Sequence, residues 1–209
     1  MRRAYDGPKR VIDLVGALVL MIVTAPVTAL VALLVRRNLG SPVLFRQERP
    51  GRDGEIFELV KFRSMTDVDP DRGLVTDADR LTPFGQRLRS TSMDELPTLW
   101  NVVRGHMSLV GPRPLLVSYL DRYTPEQARR HEVRPGVTGL VQVGGRNGLT
   151  WDEKFALDVE YVDRRSLALD VRILLSTVAK VVKRDGISDS DGVSMAEFLA
   201  RDSGGDLGA

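Results

Sequence analysis

Residues 14–35 read LVGALVLMIVTAPVTALVALLV, an uncharged and mostly apolar run of 22 residues. As a helix this run would be about 33 Å long, enough to cross a hydrocarbon core of about 30 Å. Basic residues flank it on both sides: Arg2, Arg3, Lys9 and Arg10 before it, Arg36 and Arg37 after it. Because basic flanks favour the cytoplasmic side of a membrane, both ends favour the same side. The run predicts a membrane-associated N-terminal helix.

Pro26 interrupts this run near its middle, directly after Ala25. Proline has no N–H and clashes with the preceding helical turn, and each half of the run is too short to cross a membrane alone. Thr24 and Thr28 place hydroxyl groups near the break, where a backbone carbonyl loses its partner. Two interpretations stay open on these residues: a re-entrant helix that bends and returns, and a kinked helix that spans. A cleaved signal peptide fits least, because its apolar core is normally about 7 to 15 residues long.

The rest of the chain has the size and composition of one domain. Of 209 residues, about 170 remain outside the apolar segment. Lys and Arg number 30 against 28 Asp and Glu, and only 6% of residues are aromatic, so we expect no nucleic-acid partner. The chain has no cysteine, which excludes a disulfide, a thiolate nucleophile and a zinc–thiolate site. We predict an N-terminal membrane segment (residues 1–37), a catalytic domain (38–186) and a poorly ordered tail (187–209).

The pattern of the catalytic domain predicts a helix-rich α+β fold. Two strand-like runs, residues 43–49 and 55–62, flank a turn-rich stretch and predict a β-hairpin whose second strand delivers Lys61 and Arg63. Residues 67–79 are acidic and lack periodicity, which is typical of a loop. Thr150 opens a predicted helix to about residue 165, and a second helix is predicted over residues 170–184. The apolar side of these amphipathic helices can pack on the core or lie on a membrane surface.

Asp94 and Glu95 form an adjacent acid pair. Ser92 precedes Glu95 in capping-box spacing, so a helix that begins at Ser92 would explain both acids structurally. The free N–H groups of such a helix start also bind phosphate oxygens. An activated carboxylate can attack a phosphoryl group and hold it covalently. The structural and the catalytic interpretations are therefore compatible.

Several cations surround the acid pair in the sequence. Arg113 stands between Pro112 and Pro114, which restrict the backbone that presents its planar, permanently charged group. Other cations precede the acids or lie on glycine-rich stretches: Lys61, Arg63, Arg87, Arg89, Arg134 and Arg146. Each alone is weak support for a ligand site. Together with the acid pair and the apolar run they predict a site that handles a diphosphate at a membrane.

Five motifs occur in a fixed order: Lys61-Phe62-Arg63-Ser64-Met65, Asp94-Glu95-Leu96-Pro97, Asn101-Val102, Met107-Ser108-Leu109-Val110-Gly111-Pro112-Arg113-Pro114 and Arg134-Pro135-Gly136-Val137-Thr138-Gly139. With them, over residues 9–183, the chain resembles the bacterial initiating sugar transferases, the monotopic polyprenyl-phosphate phosphoglycosyl transferases. The resemblance implies a re-entrant helix and a monotopic location at the cytoplasmic face of the bacterial plasma membrane, in contact with lipid. Relatives typically carry Ser-Pro at the membrane break, where this chain has Ala25-Pro26.

The resemblance also implies a two-step reaction. Asp94 would attack the β-phosphate of a UDP-sugar and release UMP, and a polyprenyl phosphate, such as undecaprenyl phosphate, would then take the phosphosugar from the carboxylate. Glu95, with Asp94, would hold Mg²⁺. Substrate phosphates would be contacted by a set of cations led by Arg113: Lys61, Arg63, Arg89, Arg113, Arg134 and Arg146.

Two other functions stay open on the sequence. A conventional metal-dependent glycosyltransferase would hold the nucleotide sugar through Asp77-Ala78-Asp79 and release UDP in place of UMP. A non-enzymatic membrane adaptor would turn over no UDP-sugar. Residue order does not give the sugar, the pathway or the oligomeric state, for which a homodimer is one option.

Overall fold

The computed structural model describes residues 4–145, 148–183 and 198. Its helices are α1 (Asp6–Leu39), α2 (Asp77–Arg80), α3 (Pro83–Ser90), α4 (Leu99–Arg104), α5 (Pro125–Ala128), α6 (Leu140–Gly144), α7 (Trp151–Arg164) and α8 (Leu167–Lys183). Its strands are β1 (Leu44–Pro50), β2 (Ile56–Phe62), β3 (Ser108–Val110) and β4 (Gly136–Thr138). The predicted α+β class is confirmed.

The hairpin predicted from the two strand-like runs is confirmed. β1 pairs with β2 in antiparallel register, with Leu44 opposite Phe62 and Pro50 opposite Ile56. Its turn uses left-handed backbone at Asp53 and Gly54, where glycine adopts positive φ without steric cost. A second sheet pairs β3 with β4 in parallel.

Helix α1 is a single 34-residue element with Pro26 inside it, and it extends beyond the predicted boundary at residue 37. Among the described helices it alone is long and apolar enough to cross a membrane. Its middle is highly exposed, with Ile22 at 74%. The hydroxyls of Thr24 and Thr28 donate to the carbonyls of Leu20 and Thr24 at 2.7 and 2.9 Å. Neither hydroxyl reaches the Ile22 carbonyl, which is the one that Pro26 leaves without an N–H partner.

Both halves of α1 pack on the same domain. The N-terminal half, through Ala17, joins the main core, to which five other elements contribute: β2, α4, β3, α7 and α8. The C-terminal half, through Val31, Val35 and Leu39, joins a second cluster with Phe62 and Leu88. Buried apolar surface therefore fixes the two ends of α1, while its middle projects away from the domain.

Polar contacts hold the N-terminal end of α1. Arg10 donates to the carbonyls of Val102 and Val103 at 2.7 and 3.0 Å. Lys9 forms ion pairs with Asp170 at 2.5 Å and, at the predicted i,i+4 spacing, with Asp13 at 3.7 Å. This end of α1 is thereby joined to α4 and to α8.

The prediction that an α-helix begins at Ser92 is wrong. Ser92 has a left-handed backbone with φ 55° and its side chain caps nothing. Met93–Thr98 forms a 3₁₀ helix, and α4 begins only at Leu99. Pro97 explains the difference, because it cannot donate the N–H that an α-helix from residue 93 would require at this position.

The other helical predictions fare differently. The helix after Thr150 is confirmed as α7, with the predicted capping box to Glu153. α8 begins at Leu167, before the predicted residue 170, because the Ser166 hydroxyl accepts a hydrogen bond from the Leu169 N–H at 3.3 Å. Residues 67–79, predicted to be a loop, contain a 3₁₀ helix at Pro70–Arg72 and the start of α2.

Most of the tail predicted over residues 187–209 lies outside the described residues. Phe198 is described, and it is buried in an aromatic cluster with Tyr119, Tyr123, Trp151 and Phe155. Its N–H donates to the Tyr119 hydroxyl at 3.2 Å, and Arg122 donates to its carbonyl at 2.5 Å. Phe198 therefore binds the domain through both its ring and its backbone.

Candidate active site

The acid pair is attached to strand β2 by two buried side chains of the segment that follows it. The Thr98 hydroxyl donates to the Val60 carbonyl at 3.0 Å, and the Asn101 amide accepts from the Val60 N–H at 3.1 Å and donates to the Glu58 carbonyl at 2.7 Å. Asn101 is only 1% exposed. These bonds satisfy the strand backbone and place the acid pair beside Lys61.

Glu95 is paired with two cations. Its Oε1 accepts from Lys61 Nζ at 2.7 Å and from Arg113 Nη2 at 2.9 Å. The Glu95 and Lys61 side chains are largely buried, whereas Arg113 is partly exposed. Two charge-assisted bonds to one oxygen hold all three side chains in a defined arrangement.

Asp94 is buried, at 9% exposure, and it has a different environment. Burial raises the pKa of Asp94, the Glu95 charge adds to the rise, and Lys61, Arg113 and Arg89 oppose it. No described residue donates a hydrogen bond to its carboxylate. Asp94 is thus a poorly solvated carboxylate near three cations, with oxygens left for another partner. This is the environment of a nucleophile or a ligand rather than of a helix cap.

Backbone bonds on both sides of Arg113 hold its loop. The Gly111 N–H donates to the Thr138 carbonyl, and the Gly136 N–H donates to the Pro112 carbonyl, each at 2.9 Å. The chains approach so closely that a Cβ on Gly136 would lie 2.1 Å from the Gly111 nitrogen. Glycine is therefore required, and the tight contact directs Arg113 toward Glu95.

The structure brings only some of the predicted cations together. Lys61, Arg89 and Arg113 act on the charge of Asp94, and Arg89 also donates to the Ser64 hydroxyl at 2.9 Å. Arg63 instead donates to the Leu39 and Ser41 carbonyls at the end of α1 and pairs with Asp67. Arg134 donates to the Gly105 carbonyl at 2.7 Å. Arg146 lies outside the described residues. Substrate contact by these cations stays a prediction.

The acid pair could bind a divalent cation only together with ligands from substrate or water. Within the described ranges, no three acidic or histidine side chains cluster into a metal site. Mg²⁺ commonly binds one or two carboxylates and takes its other ligands from substrate phosphates and water. Asp94 and Glu95 fit that pattern. Asp79, of the alternative Asp-x-Asp pair, accepts from the Thr76 N–H and hydroxyl at 2.9 and 2.6 Å and so completes the capping box of α2, whose N-cap is Thr76.

A buried carboxylate beside three cations, on an α+β domain with a long exposed apolar helix, is the arrangement expected of a membrane-associated enzyme that binds phosphate groups. The chain belongs to the bacterial sugar transferase family, whose sequence profile matches residues 4–184. The family suggested by the five motifs is thereby confirmed.

Three relatives illustrate the similarity. EpsL of Bacillus subtilis, named an uncharacterized sugar transferase, is 49% identical over 191 residues, 91% of this chain and 95% of the relative. A UDP-glucose:undecaprenyl-phosphate glucose-1-phosphate transferase of Caulobacter vibrioides is 42% identical, over 88% of this chain and 73% of its own length. An Escherichia coli protein of the same name is 39% identical, and this chain spans only 42% of it.

Proposed function

We propose that the protein transfers a phosphosugar from a UDP-sugar to a polyprenyl phosphate such as undecaprenyl phosphate, as the first membrane step of glycoconjugate assembly. The names of the Caulobacter and Escherichia relatives support the substrates. The observation that carries the proposal is the contrast within the acid pair. Glu95 is engaged by Lys61 and Arg113, while Asp94 is buried near the same cations with no hydrogen bond from a described residue.

This contrast gives each group a role. An Asp94 oxygen attacks the β-phosphorus of the UDP-sugar, the bond from that phosphorus to the bridging oxygen breaks, and UMP leaves with the electron pair. An oxygen of the polyprenyl phosphate then attacks the same phosphorus and displaces Asp94 as a carboxylate. Lys61 and Arg113 neutralise charge on the phosphoryl oxygens in both steps. Asp94 and Glu95 would hold Mg²⁺ together with the diphosphate, where the ion would supply further positive charge.

Nucleotide release tests the reaction. Detergent-solubilised protein, given Mg²⁺ and undecaprenyl phosphate, should release UMP from at least one donor in a panel of UDP-sugars. Without the acceptor, UMP should appear in a burst of about one equivalent per enzyme, because the covalent intermediate accumulates. UDP as the product would support a conventional glycosyltransferase, and no nucleotide from any donor would support the adaptor.

We also propose that α1 is re-entrant and that the domain lies at the cytoplasmic face of the membrane. The packing of both halves of α1 on one domain supports this topology, as do its exposed middle and its basic flanks. α8 buries Ile173 but leaves an apolar stripe exposed, formed by Leu167, Val171, Leu175 and Val178. That stripe supports contact of α8 with the membrane surface.

Single cysteines test the topology cleanly, because the chain has none of its own. Gly7→Cys and Ser41→Cys are exposed positions near the two ends of α1, and a Cβ at Gly7 meets no atom within 4 Å. In intact cells both cysteines should resist a membrane-impermeant maleimide, and both should react after permeabilisation. Reaction of only one of them in intact cells would show that α1 spans the membrane.

A further inference from the structure

An ion pair outside the acid site is the most deeply buried in the described part of the chain. Arg130 and Asp158 have side chains that are 2% and 6% exposed. Arg130 Nε and Nη2 both donate to Asp158 Oδ2, at 3.0 and 2.8 Å. Removing two charges from water is costly, and a buried pair is weak evidence of a stabilising role. Its other contacts indicate what it does.

The Arg130 guanidinium also contacts the loop of the candidate active site. Its Nη2 donates to the backbone carbonyl of Arg113 at 2.7 Å. Its Nη1 lies 3.3 Å from the Tyr123 hydroxyl, and its central carbon lies 5.7 Å from the ring centroids of both Tyr123 and Phe155. Asp158 belongs to α7, so the guanidinium is fixed to a rigid helix on one side and to the Arg113 backbone on the other.

Two successive carbonyls of the loop are therefore held from outside. Gly136 binds the Pro112 carbonyl and Arg130 binds the Arg113 carbonyl. The side chain of Arg113 extends from this fixed backbone to Glu95 at 2.9 Å. A displacement of the backbone by about 1 Å would move the guanidinium away from the charge that it must neutralise, and such a change can cost about 10²-fold in rate.

We propose that Arg130 is a positioning residue for Arg113: the Arg130–Asp158 pair holds the Arg113 carbonyl and thereby sets the guanidinium against Glu95 and the substrate phosphates. The inference rests on the proposed function, in which Arg113 binds phosphate. Arg130 itself contacts neither the acid pair nor the substrate and acts only through Arg113.

Replacement of the whole pair tests this role. The pair variant, Arg130→Met combined with Asp158→Leu, leaves no buried charge unpaired, so it should keep a Tm close to that of the wild type. Its kcat/KM should nevertheless fall about tenfold or more. Arg129→Met is the matched control, because the neighbouring arginine pairs with Glu126, Glu132 and Asp163 on the surface. Turnover of this control should stay within about twofold of the wild type.

A double-mutant cycle separates positioning from general structure. In an Arg113→Ala background the same pair replacement should change kcat/KM by less than about twofold, because its target is gone. Additive losses, or wild-type kcat/KM in a folded pair variant, would overturn the inference. If the pair variant does not fold, Arg130→Lys replaces it in the experiment. The lysine ammonium cannot reproduce the planar guanidinium, which binds Asp158 and the Arg113 carbonyl at once. If the wild-type protein releases no nucleotide from any donor, the proposed function is overturned instead. The same double-mutant cycle, measured on the affinity for UMP, would then decide the positioning role.

Discussion

Asp94→Asn should reduce turnover by at least about 10⁴-fold and should stabilise the folded protein. Asparagine keeps the size of the side chain but cannot form the acyl phosphate. In a single turnover without acceptor, the burst of UMP should disappear as well. The two effects have one physical origin: the poor solvation of Asp94, which would make it reactive in the proposed reaction, also makes its charge costly to bury.

The sign of the stability effect follows from the raised pKa of Asp94. The folded state binds the Asp94 proton more tightly than the unfolded state, so stability falls as pH rises through the raised pKa. Above that raised pKa the ionised carboxylate destabilises the fold, and Asp94→Asn removes that cost. A gain of about 1 kcal/mol would raise Tm by about 2 to 4 °C in a protein of this size. The proposed reaction needs the ionised form of Asp94. As the pH is lowered, wild-type turnover should therefore be lost at a higher pH than it would be with an aspartate of ordinary pKa.

Asp121→Asn is the matched control, because Asp121 is an exposed aspartate outside the site. It should change neither turnover nor Tm. Turnover retained in Asp94→Asn would show that another group is the nucleophile. A lower Tm in Asp94→Asn would show that Asp94 serves mainly to balance the charges of Lys61, Arg89 and Arg113.

The structural features that depend on neighbouring residues could be predicted from the sequence. Two strand-like runs around a turn-rich stretch indicated the hairpin, and the Thr150–Glu153 spacing indicated the start of α7. The Pro-Arg-Pro stretch singled out Arg113 as a candidate, because a restricted backbone beside a permanent charge is a local property, and the structure places this side chain against Glu95. The acid pair and Lys61 likewise stand in motifs, and the structure joins them.

Features that depend on long-range contacts could not be predicted. Arg63 and Lys61 are equivalent in charge and lie two residues apart, yet only the fold decides that Arg63 faces the end of α1. Asn101 was visible only as part of a motif, although a polar side chain in an apolar helix face signals a buried hydrogen bond. No sequence pattern indicated a role for Arg130, since its partners Arg113 and Asp158 lie far away in sequence.

Glu95→Gln should lower both turnover and stability, and so should shift Tm in the direction opposite to Asp94→Asn. Burial lowers the pKa of Lys61, Glu95 opposes that effect, and Arg113 adds to it. Glutamine would leave Lys61 and Arg113 as neighbouring cations without their shared carboxylate. Loss of one partner from a largely buried pair costs about 3 kcal/mol. Turnover should fall about 10²- to 10³-fold, because the two cations lose the arrangement in which they would bind phosphate in the proposed reaction.

The pH dependence of Tm distinguishes this cause from simple misfolding. Without Glu95, the pKa of Lys61 falls further, so the unfolded state binds more protons than the folded state over a wider range. Stability of Glu95→Gln should therefore recover as pH rises and Lys61 becomes neutral, whereas a packing defect would be independent of pH. Glu58→Gln is the control, because Glu58 pairs with Arg46 at 2.5 Å on the surface of the same hairpin and should have little effect. A Glu95→Gln protein with wild-type Tm at all pH values would show that Lys61 and Arg113 do not depend on Glu95, and the assignment of separate roles within the acid pair would fail.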